Sequence, residues 1–157
     1  MTATNMKQSS VNLINQIDDN DTALLEKIWP VGIKEAIAIF KLAACNDIHL
    51  LVSDLTIANI KYITRKTIPL SEFYRVMRLG RELFSVVPIG EKAIDKAIAI
   101  EPKDFEDALQ YFSAEQAGAD CIITRNIEDF SFSASVKVMT PNDFLFTYFS
   151  NFIESDS

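Results

Sequence analysis

Lys103-Asp104-Phe105-Glu106-Asp107-Ala108-Leu109-Gln110-Tyr111 opens a helix that runs to Gly118, and Cys121-Ile122-Ile123 follows as a short apolar strand. The strand delivers Thr124-Arg125-Asn126-Ile127-Glu128-Asp129-Phe130. Acids therefore stand at the start of a helix and just past the end of the next strand. In an α/β sheet these places can lie side by side at the carboxyl edge of the strands, where ligands bind. Carboxylates gathered there repel one another unless they stay protonated or share a hard cation such as Mg²⁺ or Mn²⁺. The pattern points to metal-assisted chemistry on a phosphate ester.

Helix and short strand alternate outward from this stretch. Ile33, Ala36, Ile37, Phe40, Leu42 and Ala44 mark a buried helix ending near Asn46. Leu50-Leu51-Val52-Ser53 is a strand without alternation, as expected when both faces are covered. Ser53 or Asp54 can cap the next helix, which carries Leu55, Ile57, Ile60 and Ile63. Pro69 opens a third helix, and Phe84 to Pro88 is a strand. Gly90 precedes a helix through Ile98 and Ile100. Val136 to Met139 is a last strand, and Pro141-Asn142-Asp143 starts a C-terminal helix. This alternation predicts an α/β domain with a central parallel sheet flanked by helices. The expectation is one domain over residues 1–157, with 1–9 and 155–157 loose.

Bulk properties exclude several classes. The four glycines are scattered, so there is no phosphate loop. Two distant cysteines, Cys45 and Cys121, and a single histidine, His49, argue against zinc and for reduced thiols. No apolar run reaches the roughly 18 residues of a spanning helix. The first six residues lack the charge and apolar stretch of a signal peptide, so a cytoplasmic location and no membrane partner are expected. A net charge of −7 argues against a general nucleic-acid coating protein. It does not exclude a nuclease, whose clustered carboxylates add to the count, and it suits docking to a basic partner.

At about 100° per residue, Phe105, Ala108, Leu109 and Phe112 form one apolar stripe of the motif helix. Asp104, Asp107 and Tyr111 fall on one flank and Glu106 on the other. Asp104 reads either as an N-cap or as a metal ligand, and Asp107 either complements the helix dipole or binds the ion. Thr124 and Asn126 offer short polar groups for a water or a phosphate oxygen. Arg125 can fork onto a phosphate or pair with Glu128, Asp129 or Asp120. Asp129 reads as an outer ligand or as a cap.

The stretch Asp104 to Tyr111, then Gly118-Ala119-Asp120, Thr124-Arg125-Asn126 and Asp129-Phe130, with Val138 to Pro141 beyond, resembles the C-terminal half of a PIN domain of the toxin-type (VapC-like) ribonuclease subgroup. The resemblance covers roughly residues 30–146. It implies a three-layer fold and a site holding Mg or Mn. Asp107 and Asp129 would be the later acids of that site, Asp104 the extra acid of the subgroup, and Thr124 and Asn126 the polar residues beside them. It further implies single-stranded RNA as substrate and an antitoxin protein as partner.

Two positions depart from the family pattern. PIN domains begin with a buried strand ending in Asp-Thr-Asn, and the only counterpart is Ile17-Asp18-Asp19-Asn20. Among its preceding residues Asn15 and Gln16 are amides that a buried strand tolerates poorly, and Leu13, Ile14 and Ile17 fit a helix at least as well. Asp18 is the candidate fourth metal ligand if that strand forms. In the helix after Leu50–Val52 the family often has Glu, and here Asn59 can hold a water or substrate group but supplies no charge. Each lost carboxylate weakens selection for a hard cation. The alternative is thus a catalytically degenerate PIN-like module that binds protein or RNA. The aromatic run Phe144 to Phe149 with Phe152 reads either as a face for a homodimer or a partner or as an amphipathic last helix.

Overall fold

The computed structural model describes residues 33–131 and 135–153. Elements alternate along the chain as α1 (Ile33–Ala44), β1 (Leu50–Ser53), α2 (Asp54–Thr64), α3 (Leu70–Gly80), β2 (Phe84–Val87), α4 (Gly90–Ile100), α5 (Phe105–Gln116), β3 (Cys121–Ile123), a 3₁₀ turn (Ile127–Phe130), β4 (Lys137–Met139) and α6 (Pro141–Ile153). The fold class is α/β. Among the described residues the strands form two ladders, β1 beside β2 and β3 beside β4. The second is parallel, with Cys121 opposite Lys137 and Ile123 opposite Met139. Residues 11–17, expected as a strand or a helix, and the loose ends expected at 1–9 and 155–157 lie outside the described residues.

The chain divides into two compact units, Met1–Leu50 with Ala58–Ser85 and Leu51–Ile57 with Val86–Ser157. In the first, α1 stops at Asn46, which takes a left-handed φ of 58°. The Asp47 N–H reaches back to the Leu42 carbonyl at 3.0 Å, so the helix end is satisfied in a Schellman-type turn. Ile39, Leu42, Ala43 and Ala44 of α1 are buried, whereas the expected Ala36, Ile37 and Phe40 stay partly exposed. Pro69 stands at the N-cap of α3 with φ −56° and ψ 144°, its ring presetting the entry. Phe73 packs inward, and the Lys61 ammonium lies 5.0 Å from its ring centre.

The second unit is built on α4 and α5, which pack against one another. Ala93 and Ala97 on α4 and Ala108 on α5 are fully buried, and such small side chains allow a close helix–helix approach. Tyr111, Phe112, Ile89, Phe130 and Val136 complete this core, with Leu109, Ile122 and Val138 packed around it. The reading of α5 needs one correction: Phe105 is 45% exposed, and Tyr111, expected on the acidic flank, is completely buried. Tyr111 faces inward because its hydroxyl has partners there. It accepts from the Val136 N–H at 2.7 Å and lies 2.9 Å from Ser135 Oγ. Ser135 donates on to Glu115 at 2.6 Å, and Glu115 takes Lys96 at 2.8 Å. Those two bonds, that from Lys96 first, hold the Glu115 carboxyl below its usual range.

Ile63, Ile98 and Ile100 are exposed. α5 ends at Gly118, whose φ of 69° is the left-handed geometry that glycine takes without strain. α6 starts with a capping box: Thr140 Oγ1 accepts from the Asp143 N–H at 3.1 Å and donates to Asp143 Oδ2 at 2.7 Å. The aromatic end is split, with Phe144 buried and Phe146 and Tyr148 exposed. Cys45 and Cys121 are both free thiols, and burial pushes the Cys121 thiol up. No described helix is long and apolar enough to cross a membrane.

Replacing Tyr111 by Phe leaves the buried Val136 N–H unsatisfied. The expected loss is about 1–3 kcal/mol. It is read as a lower denaturation midpoint at an unchanged slope in urea.

Candidate functional site

The N-terminus of α5 is set by Asp104, which takes an extended backbone (φ −113°, ψ 107°) and caps the helix. Its Oδ1 accepts the Asp107 N–H at 3.0 Å. The bond satisfies one of the helix's orphan donors and leaves the second carboxylate oxygen available. Asp107 stands one turn before the buried Tyr111, so the packing of that ring fixes the rotation of α5 and with it the direction of Asp107. Asp107 is half-buried. Burial first, then the charges of Asp104, Asp129 and Glu106, raise its carboxyl to about 6. Glu106, expected on the opposite flank, is exposed yet contributes to that field.

Asp129 comes from the 3₁₀ turn after β3. This turn is held by Phe130, which inserts into the core, and packs against α5. The Thr124 N–H continues the parallel ladder to the Met139 carbonyl at 2.9 Å. Its Oγ1 accepts the Asn126 N–H at 3.2 Å, and the Asp129 N–H bonds the Asn126 carbonyl at 3.3 Å. Thr124 and Asn126 thus shape the loop that carries Asp129. An open cleft of about 290 Å³ is lined by Arg125, Asn126, Ile127, Glu128, Asp129 and Thr140. Asp104 and Asp107 are not among its walls.

The structure brings Asp104, Asp107 and Asp129 within electrostatic reach, and places Arg125 and Asn126 beside Asp129. Among the described residues none of the three acids makes an ion pair. Asn59 belongs to the first compact unit and is described with it. Asp18 lies outside the described residues.

Three residues were missed as a group. Ser53 donates to Gln110 Oε1 at 2.6 Å, Gln110 Nε2 donates to Thr56 Oγ1 at 2.9 Å, and Thr56 Oγ1 lies 2.9 Å from Ser53 Oγ. The hydroxyls and the amide close a ring in which every polar atom has a partner. Ser53 also caps α2 by accepting the Thr56 N–H at 3.0 Å. Asp54, the rival cap, instead binds the Leu55 and Ile89 N–H groups with one oxygen, at 2.8 and 3.2 Å. Gln110 lies three residues after Asp107, on the same side of α5. That spacing was the available signal, but its partners lie more than fifty residues away.

A model of the PIN domain matches residues 21–128. The chain belongs to the PIN domain family. No curated protein and no solved structure matches it. The match takes in α5, β3 and the turn as far as Glu128, stopping one residue short of Asp129. PIN domains are generally nucleases that use divalent metals. In this PIN domain no group of three or more His, Cys, Asp or Glu side chains is arranged to hold a metal ion among the described residues. The donor set of Asp104, Asp107 and Asp129 nevertheless fits a hard dication, because it is all oxygen and makes no ion pair among the described residues.

Asp107 sets a pH dependence. Its carboxyl is raised from 3.8 to about 6, so the folded state holds the proton more tightly than the unfolded chain does. In metal-free protein, stability should therefore fall as pH rises from about 4 to about 6, and the loss should be complete above that window. Asp107→Asn should remove the loss and raise stability at neutral pH, by about 1 kcal/mol given solvent screening at this half-exposed site. Melting curves in EDTA across that range test it, and parallel profiles for the two proteins would contradict it.

Proposed function

We propose that this PIN domain is a metal-dependent ribonuclease of the toxin type that cleaves single-stranded RNA in the cytoplasm. The observation that carries the reading is the crowding of Asp104, Asp129 and Glu106 around the half-buried carboxylate of Asp107 in a chain of a nuclease family. Uncompensated carboxylates at this density raise the free energy of the metal-free fold, and a dication relieves them.

Asp107 and Asp104 would hold Mg or Mn, with Asp18 as a further ligand. Bound there, the ion supplies Lewis-acid polarisation of the phosphodiester and screens the charge that builds in the transition state. Asp129 and Asn126 orient the attacking water, with Thr124 fixing their loop. Arg125 forks onto the non-bridging phosphate oxygens. The water oxygen joins phosphorus as the bond to the leaving sugar oxygen breaks in line. The ring of Ser53, Thr56 and Gln110 holds α5 in position while this happens. An antitoxin protein and a second copy of the chain are the proposed partners.

A second reading is a catalytically degenerate PIN module that works by binding protein or RNA. It is favoured by the absence, among the described residues, of a three-ligand metal group. One experiment separates the two. Mn²⁺ or Mg²⁺ should raise the melting temperature by mass action, and single-stranded RNA should be cut in its presence. EDTA and Asp107→Asn should each abolish cleavage, and the variant should lose the thermal shift. Equal responses to metal in the two proteins, with no cleavage from either, would establish the degenerate module.

A further inference from the structure

We infer that the first compact unit carries a binding face for single-stranded nucleic acid, formed by the end of α2 and the outer side of α3. The inference rests on the ribonuclease reading only in expecting RNA over DNA.

Residues 61–82 contain six basic side chains (Lys61, Arg65, Lys66, Arg75, Arg78, Arg81) against two acids, Glu72 and Glu82, in a chain of net charge −7. The remainder of the protein is therefore more acidic still, and an anionic strand would be repelled almost everywhere else. Only Arg75 is neutralised within the segment, by a two-pronged contact to Glu72 at 3.0 and 3.1 Å. Among the described residues Arg65, Lys66, Arg78 and Arg81 make no ion pair.

Aromatic surface is interleaved with this charge. Tyr62 is 65% exposed and Tyr74 50% exposed. The Arg65 guanidinium stacks on Tyr62, 3.7 Å from the ring centre. Leu70, Tyr74 and Arg78 follow at four-residue spacing and share one exposed face of α3. The Lys61 ammonium, 5.0 Å from the Phe73 ring centre, links the end of α2 to α3.

Cations alone would suit any polyanion. Exposed rings between them favour a ligand that carries unstacked π faces along a phosphate backbone, which describes a single strand. A duplex hides its base faces, and an acidic peptide has none to offer.

The test uses the full chain carrying Asp107→Asn, so that the strand stays intact. The probe is a fluorescein-labelled oligo-uridine of about a dozen nucleotides, within the span such surfaces cover. Oligo-deoxythymidine, an RNA duplex and poly-glutamate are the comparisons. Anisotropy should show log K falling linearly with log salt, by about 0.7 for each cation engaged. Lys66→Glu with Arg78→Glu should weaken binding about tenfold or more and flatten that slope by about 1.4. Tyr62→Ala with Tyr74→Ala should weaken it about tenfold with the slope unchanged. A 4-thiouridine probe should crosslink to residues 61–82 in protein that carries no patch substitution, which decides the matter should a variant fail to fold.

Equal binding of uridine and deoxythymidine strands still supports the face and removes only the RNA preference. Duplex or poly-glutamate binding as tight as the single strand, indifference to the tyrosines, or crosslinks confined to other segments would overturn it. Binding as described without metal-dependent cleavage by the wild type keeps this inference and removes the ribonuclease. Cleavage unaffected by all four substitutions does the reverse.

Discussion

The hydroxyl of Tyr111 is the contact on which the second unit depends. A tyrosine buries a large ring at low conformational cost only if its oxygen finds partners. Here the oxygen accepts the Val136 N–H just before β4 and shares a hydrogen bond with Ser135, which donates on to Glu115. A helix is thereby fixed to a strand in rotation as well as in distance. The acid one turn earlier inherits that setting, as does the 3₁₀ turn whose Phe130 shares the same core.

Against this anchoring stands a repulsive term. Three carboxylates crowd Asp107, and among the described residues Asp104, Asp107 and Asp129 make no ion pair. Such an arrangement costs stability in the absence of a cation, so it persists only where packing elsewhere outweighs it. The closed ring of Ser53, Thr56 and Gln110 and the Asp54 bond to Ile89 supply part of that opposing rigidity. A buried network with every group satisfied is stiff, because moving one member strands the others.

Much of the fold was legible from local signals. Pro69, Gly118, Asn46 and the Thr140–Asp143 box mark their helix ends through backbone chemistry that needs no distant partner. The positions of Asp104 at the start of α5 and of Asp129 after β3 were legible for the same reason, since a cap and a strand end are local features. What periodicity misjudged was burial. It placed Tyr111 with the acids because helical angle alone cannot count the hydrogen bonds waiting inside. It named Ile63 with the apolar residues of its helix, and nothing local shows that this side chain gains no neighbour. The Gln110 ring was illegible because its members are distant in sequence. Asn59 was assigned by resemblance, and its α2 position falls in the first compact unit. The identity of the first acid, Asp18, rests on residues outside the described structure.

The three alanines between α4 and α5 have an evolutionary consequence. Ala93, Ala97 and Ala108 are fully enclosed, so a larger side chain at any of them must push one helix off the other. Displacement of α5 would carry Asp107 with it. Drift at these positions would therefore be filtered for the geometry of chemistry that none of the three residues touches. The exposed faces of the same helices can vary freely, which lets the surface of such a protein diverge beyond recognition while its acids stay in register.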